Sequence, residues 1–320
     1  MNYTEFLILK EQLLKDNKNL INLAENNLYT YNPHNLEYKE GDGHINGVVY
    51  RCHLVEDWLN YYGLSQDLKK HIGVSNGVRH SLETIVEHFK ERSFLIPADV
   101  YPFYQNTLND KKVNYKEYIT LGVDELFTDL ADTDIMLLTD PLKPLGRDIT
   151  ANEYNHIKKW LDEDYSRLLI VDAVYLLDNK VNQYLFNLYE TSNQVIIMHS
   201  LSKAWCLPNH FGVTFFPKNE MGQELREAYK KLTKNQDKLN LAYIALNKSK
   251  NLPELLKAKL IDNKTKVNDL TDLGLVTSNW NPSYMFYSPV DFEEHLKNGI
   301  LTIPASVFGG DKGSIISTLI

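Results

Sequence analysis

His199-Ser200-Leu201-Ser202-Lys203-Ala204-Trp205-Cys206-Leu207-Pro208 follows directly on the apolar run Gln194-Val195-Ile196-Ile197-Met198. A short apolar run bounded by turn residues reads as a buried strand. Lys203 therefore stands in a hydroxyl-rich turn at a strand's end. A lysine amine there can form a Schiff base with an aldehyde, while the Ser200 and Ser202 hydroxyls hold an anion. What that lysine serves depends on the residues upstream.

Similar apolar runs recur before it, at His71–Val74, Ser93–Ile96, Val113–Tyr115, Ile135–Leu138 and Leu168–Val171, and once after it at Gly212–Phe216. Helical stretches over 78–91, 101–109, 124–131 and 150–164 separate them. Strands spaced by helices of that length predict βαβ units and a mostly parallel sheet, an α/β fold with helices flanking it. Residues 3–20 predict an amphipathic helix, Leu20–Asn32 an extended arm, Gly41–Gly47 a glycine-rich turn and 51–63 a helix. Asn219 to about Asn251 predicts one long charged helix leading to a smaller unit. That unit would hold a strand at Ser283–Tyr287, a helix at 291–297 and the tail 300–320.

Bulk properties narrow the function. The 320 residues suffice for one large and one smaller domain. A net charge of −8, with an isoelectric point near 5.7, argues against a nucleic-acid surface, which needs a clustered basic excess. Cys52 and Cys206 cannot build a disulfide framework, so a cytoplasmic location is expected. Met1–Asn19 has no apolar core of a signal peptide, and no run of about 18 apolar residues predicts a membrane span. No metal-ligand spacing is visible, and no metal is expected.

In an open α/β sheet, ligands bind at the carboxyl ends of the strands, so the residues after each strand are the ones to compare. Asp172 and Tyr175 follow Leu168–Val171. A carboxylate there can pair with a protonated pyridine nitrogen, and a tyrosine can hydrogen-bond a phenolate oxygen. Together with Lys203, 31 residues on, these are the needs of pyridoxal 5'-phosphate (PLP). Thr139-Asp140-Pro141-Leu142-Lys143-Pro144-Leu145-Gly146-Arg147 follows Ile135–Leu138, and Ser75-Asn76-Gly77-Val78-Arg79 follows His71–Val74. The latter glycine turn opens a helix and presents free N–H groups to a phosphate. Pro97-Ala98-Asp99-Val100-Tyr101-Pro102-Phe103-Tyr104 follows Ser93–Ile96.

These motifs, in this order over residues 70–215, resemble those of the aspartate-aminotransferase-like (class I/II, fold type I) PLP enzymes, histidinol-phosphate aminotransferases included. Ser200–Trp205 resembles the S-x-S-K-x-aromatic signature, Val171–Tyr175 the D-x-x-Y motif, and Asp140–Gly146 the N-P-x-N-P-T-G turn. The resemblance implies that Lys203 is the catalytic lysine and that Asp172, Tyr175, Lys143, Ser200, Ser202, His210, Asn76, Gly77 and Val78 bind the cofactor. It implies stacking of Tyr101 on the cofactor ring. Asn26, in an N-terminal arm, with Arg79 and Arg147, would meet substrate. It implies residues 1–35 as an arm and helix packing with the small domain, 36–220 as a large PLP-binding domain, and 221–320 as a linking helix and reduced α+β small domain. It also implies a homodimer in which His44 or Tyr50 of one subunit reaches the other's phosphate.

Three departures mark the site. Lys143 holds the place of the family's second Asn, and His210 that of a phosphate-binding Arg. Ile316 stands where an Arg usually clamps the substrate carboxylate, so either Lys143, Arg147, Arg79 or Lys312 replaces it or the substrate lacks a normal α-carboxylate contact. The expected reaction is transamination of a small amino acid or amine. A PLP-dependent decarboxylation, elimination or oxidation on the same scaffold is the alternative, and a non-catalytic PLP-binding homologue the third.

Overall fold

The structure, a computed structural model, describes residues 1–28, 51–100, 102–130, 132–177, 181–232, 235–271 and 283–320. Tyr101, His44, Tyr50 and the Gly41–Gly47 turn lie outside the described residues.

In chain order the helices are α1 (Tyr3–Asp16), α2 (Arg51–Tyr61), α3 (Val78–His88), α4 (Phe103–Asp110), α5 (Ala151–Glu163), α6 (Gln183–Thr191), α7 (Glu220–Lys230), α8 (Gln236–Lys248), α9 (Leu252–Thr271) and α10 (Phe292–Lys297). The strands are β1 (Ile21–Asn22), β2 (Ile72–Ser75), β3 (Phe94–Pro97), β4 (Tyr115–Tyr118), β5 (Ile135–Thr139), β6 (Leu168–Asp172), β7 (Val195–Ser200), β8 (Gly212–Phe215), β9 (Met285–Ser288), β10 (Ile300–Leu301), β11 (Ile303–Pro304) and β12 (Ser314–Ser317).

Seven strands form one sheet in the order β2-β8-β7-β6-β5-β3-β4. β4, β3, β5, β6 and β7 run parallel, and β8 lies antiparallel between β7 and β2. The strand period of two explains why the central runs are apolar throughout. Met136, Leu138, Leu169, Val171, Val195 and Ile197 enter the core on one face. Ile135, Leu137, Leu168, Ile170, Ile196 and Met198 enter the core on the other. Both faces are covered, so neither needs polar positions.

A second, antiparallel sheet has the order β11-β12-β9, and β1 pairs in parallel with β10 through Ile21–Ile300 and Asn22–Leu301. The N-terminal arm is thus tied to the C-terminal segment, and α1 joins it by an edge-on contact between Phe6 and Phe292 at 6.5 Å. Among the described residues no helix is long and apolar enough to cross a membrane.

Several expectations need correction. Residues 124–130 of the helix expected over 124–131 form none: Phe127 takes φ 67°, and the Leu126 N–H donates to Glu153 Oε1 at 3.3 Å instead of to a helical carbonyl. The long helix expected over 219–251 is two, because Asn235 caps a new one, its Oδ1 accepting from the N–H groups of Asp237 and Lys238. The same signal at Asn182, which starts α6, passed unread, as did all of α9. The strand expected at 113–115 lies at Tyr115–Tyr118.

Candidate active site

The carboxyl ends of the parallel strands open into one cavity of about 470 Å³. Asp172 and Tyr175 reach it from the end of β6, Ser202 and Lys203 from β7, Lys143 from the turn after β5, Val78 and Arg79 from the start of α3 after β2, and Tyr104 from α4 after β3. Tyr3, Asn26 and Asn27 of the N-terminal segment, with Met285 and Phe308, complete the lining.

Asp172 is buried and doubly held. Its Oδ2 accepts from the Tyr104 hydroxyl at 2.7 Å, and its Oδ1 from the Val174 N–H at 3.0 Å. Burial pushes its carboxyl up to about 6, while Tyr104, Val174 and Lys203 hold it down. It is therefore an anion at neutral pH with lone pairs left to accept a further donor. Burial next to this charge holds the Tyr104 phenol well above its ordinary range, so it donates its proton rather than losing it.

Lys203 is half-buried, with its Nζ 5.0 Å from the centre of the Tyr175 ring. The turn that carries it is fixed by Trp205, whose N–H donates to the Leu201 carbonyl at 3.2 Å and whose indole packs edge-on against Tyr61 at 4.8 Å.

Lys143 is buried, and its Nζ lies 3.8 Å from the centre of the Tyr175 ring. Its backbone is pinned on both sides: its N–H donates to Thr139 Oγ1 at 2.8 Å, and its carbonyl accepts from Thr120 Oγ1 at 3.3 Å. Burial, helped by the nearby Lys203 charge, brings its ammonium down to about 7.

At the third corner, Gly77 takes φ +126° to turn β2 into α3, and no side chain caps that helix. Ser75 Oγ accepts from the Gly77 N–H at 3.2 Å and steadies the turn. A Cβ on Gly77 would lie 3.8 Å from Ser202 Oγ. The uncapped helix start and the Ser202 hydroxyl thus adjoin and suit an anion.

Other residues expected here are placed elsewhere. Ser200 is fully buried, and its Oγ accepts from the Ser202 N–H at 3.2 Å. The Asn76 N–H donates to His80 Nδ1 at 3.3 Å, and Asn76 does not line the cavity. His210 turns onto its own loop, its Nδ1 donating to the Pro208 carbonyl at 2.5 Å, and burial lowers its pKa. The Arg147 guanidinium is bound bidentately by the buried Glu153, with NH1 2.8 Å from Oε2 and NH2 2.7 Å from Oε1. Ile316 packs in a core with Leu23, Val267 and Ile300. Asn26, Val78 and Arg79 do line the cavity. Sequence reasoning did not see Tyr104 as the partner of Asp172, although Tyr104 stands three residues after Tyr101.

The family described as aminotransferase class I and II matches residues 18–272. No curated protein sequence matches. Among solved structures, a Methanococcus jannaschii protein, reported as similar in its active site to kynurenine aminotransferases, is 18% identical with a TM-score of 0.70, covering 99% of this chain and 92% of that one. The PLP-bound C-S lyase of Staphylococcus hominis is 15% identical with a TM-score of 0.69, covering 86% and 79%. The histidinol-phosphate aminotransferase of Clostridium acetobutylicum is 17% identical with a TM-score of 0.67, covering 93% and 94%. At such identities the likeness is one of fold.

The donor set of the cavity fits PLP. It offers an amine in Lys203, a buried anion in Asp172 for a ring N–H, a phenol in Tyr175, and a hydroxyl beside an uncapped helix start for a phosphate. This chain belongs to the aminotransferase class I and II family, fold type I enzymes that depend on PLP.

Proposed function

We propose that this protein is an aminotransferase for a small amino acid or amine, with Lys203 as its catalytic lysine. The observation that carries the reading is the convergence of Lys203, Tyr175 and the Tyr104–Asp172 pair in one cavity at the ends of β6 and β7. When bound, PLP supplies an electron sink that stabilises negative charge at the substrate Cα. Lys203 would hold it covalently, Asp172 would face its ring nitrogen, Tyr175 its phenolate oxygen, and Ser202 with the start of α3 its phosphate. The Lys203 amine would be the group to move a proton at the substrate Cα. Asp172, anionic at neutral pH, favours a protonated ring nitrogen, and the Tyr104 hydroxyl fixes the carboxylate's orientation. Such an enzyme acts as a homodimer.

The experiment is an absorbance titration of the PLP-loaded protein with a panel of amino acids and amines, with product analysis. Accumulation of pyridoxamine phosphate and a keto product supports transamination. Absence of pyridoxamine phosphate with every donor refutes it. A second reading, elimination, draws on the C-S lyase whose fold is as near as those of the aminotransferases. It predicts ammonia release from a sulfur amino acid with no pyridoxamine phosphate.

A further inference from the structure

The cavity is lined by three basic side chains, Arg79, Lys143 and Lys203, against one carboxylate, Asp172, among its described lining residues. Lys203 and Asp172 are accounted for by the cofactor. Arg79 is exposed at the rim, its guanidinium 5.1 Å from the centre of the Phe103 ring. Lys143 is different: it is buried, and no described carboxylate forms an ion pair with it. Its Nζ donates to Ser283 Oγ at 3.2 Å, and that serine in turn donates to the Met285 carbonyl at 3.0 Å. The ammonium sits between two aromatic faces, Tyr175 at 3.8 Å and Tyr284 at 4.9 Å. An ammonium has three donors, and one neutral hydroxyl satisfies one of them. A buried cation without a counter-charge is costly unless a ligand completes it.

Its direction indicates which ligand. The groups suited to the cofactor, Lys203, Asp172, Tyr175, Ser202 and the start of α3, all stand on turns of the large sheet. Lys143 instead reaches from that sheet to the wall that leads into β9. The turn comes this close because Gly146 has φ +74° and no side chain, and a Cβ there would lie 2.1 Å from the Met285 carbonyl oxygen. Met285, Asn26 and Phe308 line the same cavity. The Lys143 amine thus lines the cavity where Ser283 and Tyr284 meet Tyr175.

We infer that Lys143 is the anchor for the substrate's carboxylate, so that the enzyme selects amino acids over simple amines. This rests on the cofactor-site reading above and replaces, with a buried lysine between two tyrosines, the clamp that Ile316 cannot provide. Arg147 is committed to Glu153 and cannot serve. Lys312 is exposed and outside the cavity.

The test uses the PLP-loaded protein and a pair of probes, propionate and its neutral isostere propionamide, with binding followed by calorimetry. Wild type is expected to bind propionate at least about tenfold more tightly than propionamide, as a charge-assisted hydrogen bond implies. Lys143→Met is expected to weaken propionate by about ten- to hundredfold while PLP affinity changes by less than about threefold, and Lys143→Arg to recover much of the loss. Lys312→Met leaves propionate binding as it is. If Lys143→Met does not fold, Lys143→Gln against Lys143→Arg gives the same contrast. Equal binding of the two probes by wild type, or a Lys143→Met variant that loses PLP and keeps propionate, overturns the inference. A Lys143-dependent preference for propionate in a protein that never transaminates keeps the anchor and refutes the aminotransferase reading.

Discussion

The Tyr104 hydroxyl donates to Asp172 Oδ2 at 2.7 Å, joining the helix after β3 to the carboxylate that ends β6. The bond lowers the pKa of a carboxyl that burial raises, so it helps keep Asp172 charged.

Removing that hydroxyl shows its role. Tyr104→Phe leaves the ring and deletes the donor. The Asp172 pKa is expected to rise further, and turnover at neutral pH to fall by about tenfold, the size of a lost bond to a charged group. A pH–rate profile checks this, because the acid limb should move to higher pH. A loss of rate with an unmoved limb would mean that Tyr104 only fills space.

Asp172 should trade stability for function. Its folded-state pKa, about 6, lies above the ordinary carboxyl value. The group therefore contributes stability below the unfolded value, and that contribution is lost as pH rises through about 6. Asp172→Asn removes the buried charge. The cofactor-free variant is expected to melt several degrees above wild type at about pH 8, and the gap to close toward about pH 4. Thermal melts across that range, with PLP binding measured alongside, decide it. PLP binding should fall in the variant while stability rises.

Arg147 is expected to matter for stability rather than for substrate. It binds Glu153, which also takes the Thr150 and Leu126 N–H groups and is 1% exposed. Arg147→Met leaves that buried carboxylate without its cation. The cost is about 2 kcal/mol, discounted from the fully buried case because Arg147 is about a third exposed. Urea unfolding should register the loss, and the KM for the amino donor should stay near wild type.

The strands were legible because buried parallel strands are apolar on both faces, as Leu168–Val171 and Val195–Met198 are. That Lys203, Asp172 and Tyr175 meet in one cavity was legible for a related reason. Each directly follows such a run, and parallel pairing brings the strand ends together. The Tyr104–Asp172 and Lys143–Ser283 bonds were not, since they join residues 68 and 140 positions apart and depend on strand order and on how β9 meets the large sheet. Spacing also did not tell which way a turn residue faces, so Ser200 and His210 stood among the expected ligands while their side chains bond within their own loop. The long helix expected across 219–251 failed on one asparagine, Asn235, whose side chain starts a new helix.

Two lysines share the cavity, and Lys203 rather than Lys143 is proposed to carry the cofactor. Borohydride reduction of the PLP-loaded protein, followed by mass mapping of its peptides, reads this directly. The pyridoxyl label is expected on Lys203, with none in the Lys203→Ala variant. A label on Lys143, or one retained by Lys203→Ala, would contradict it.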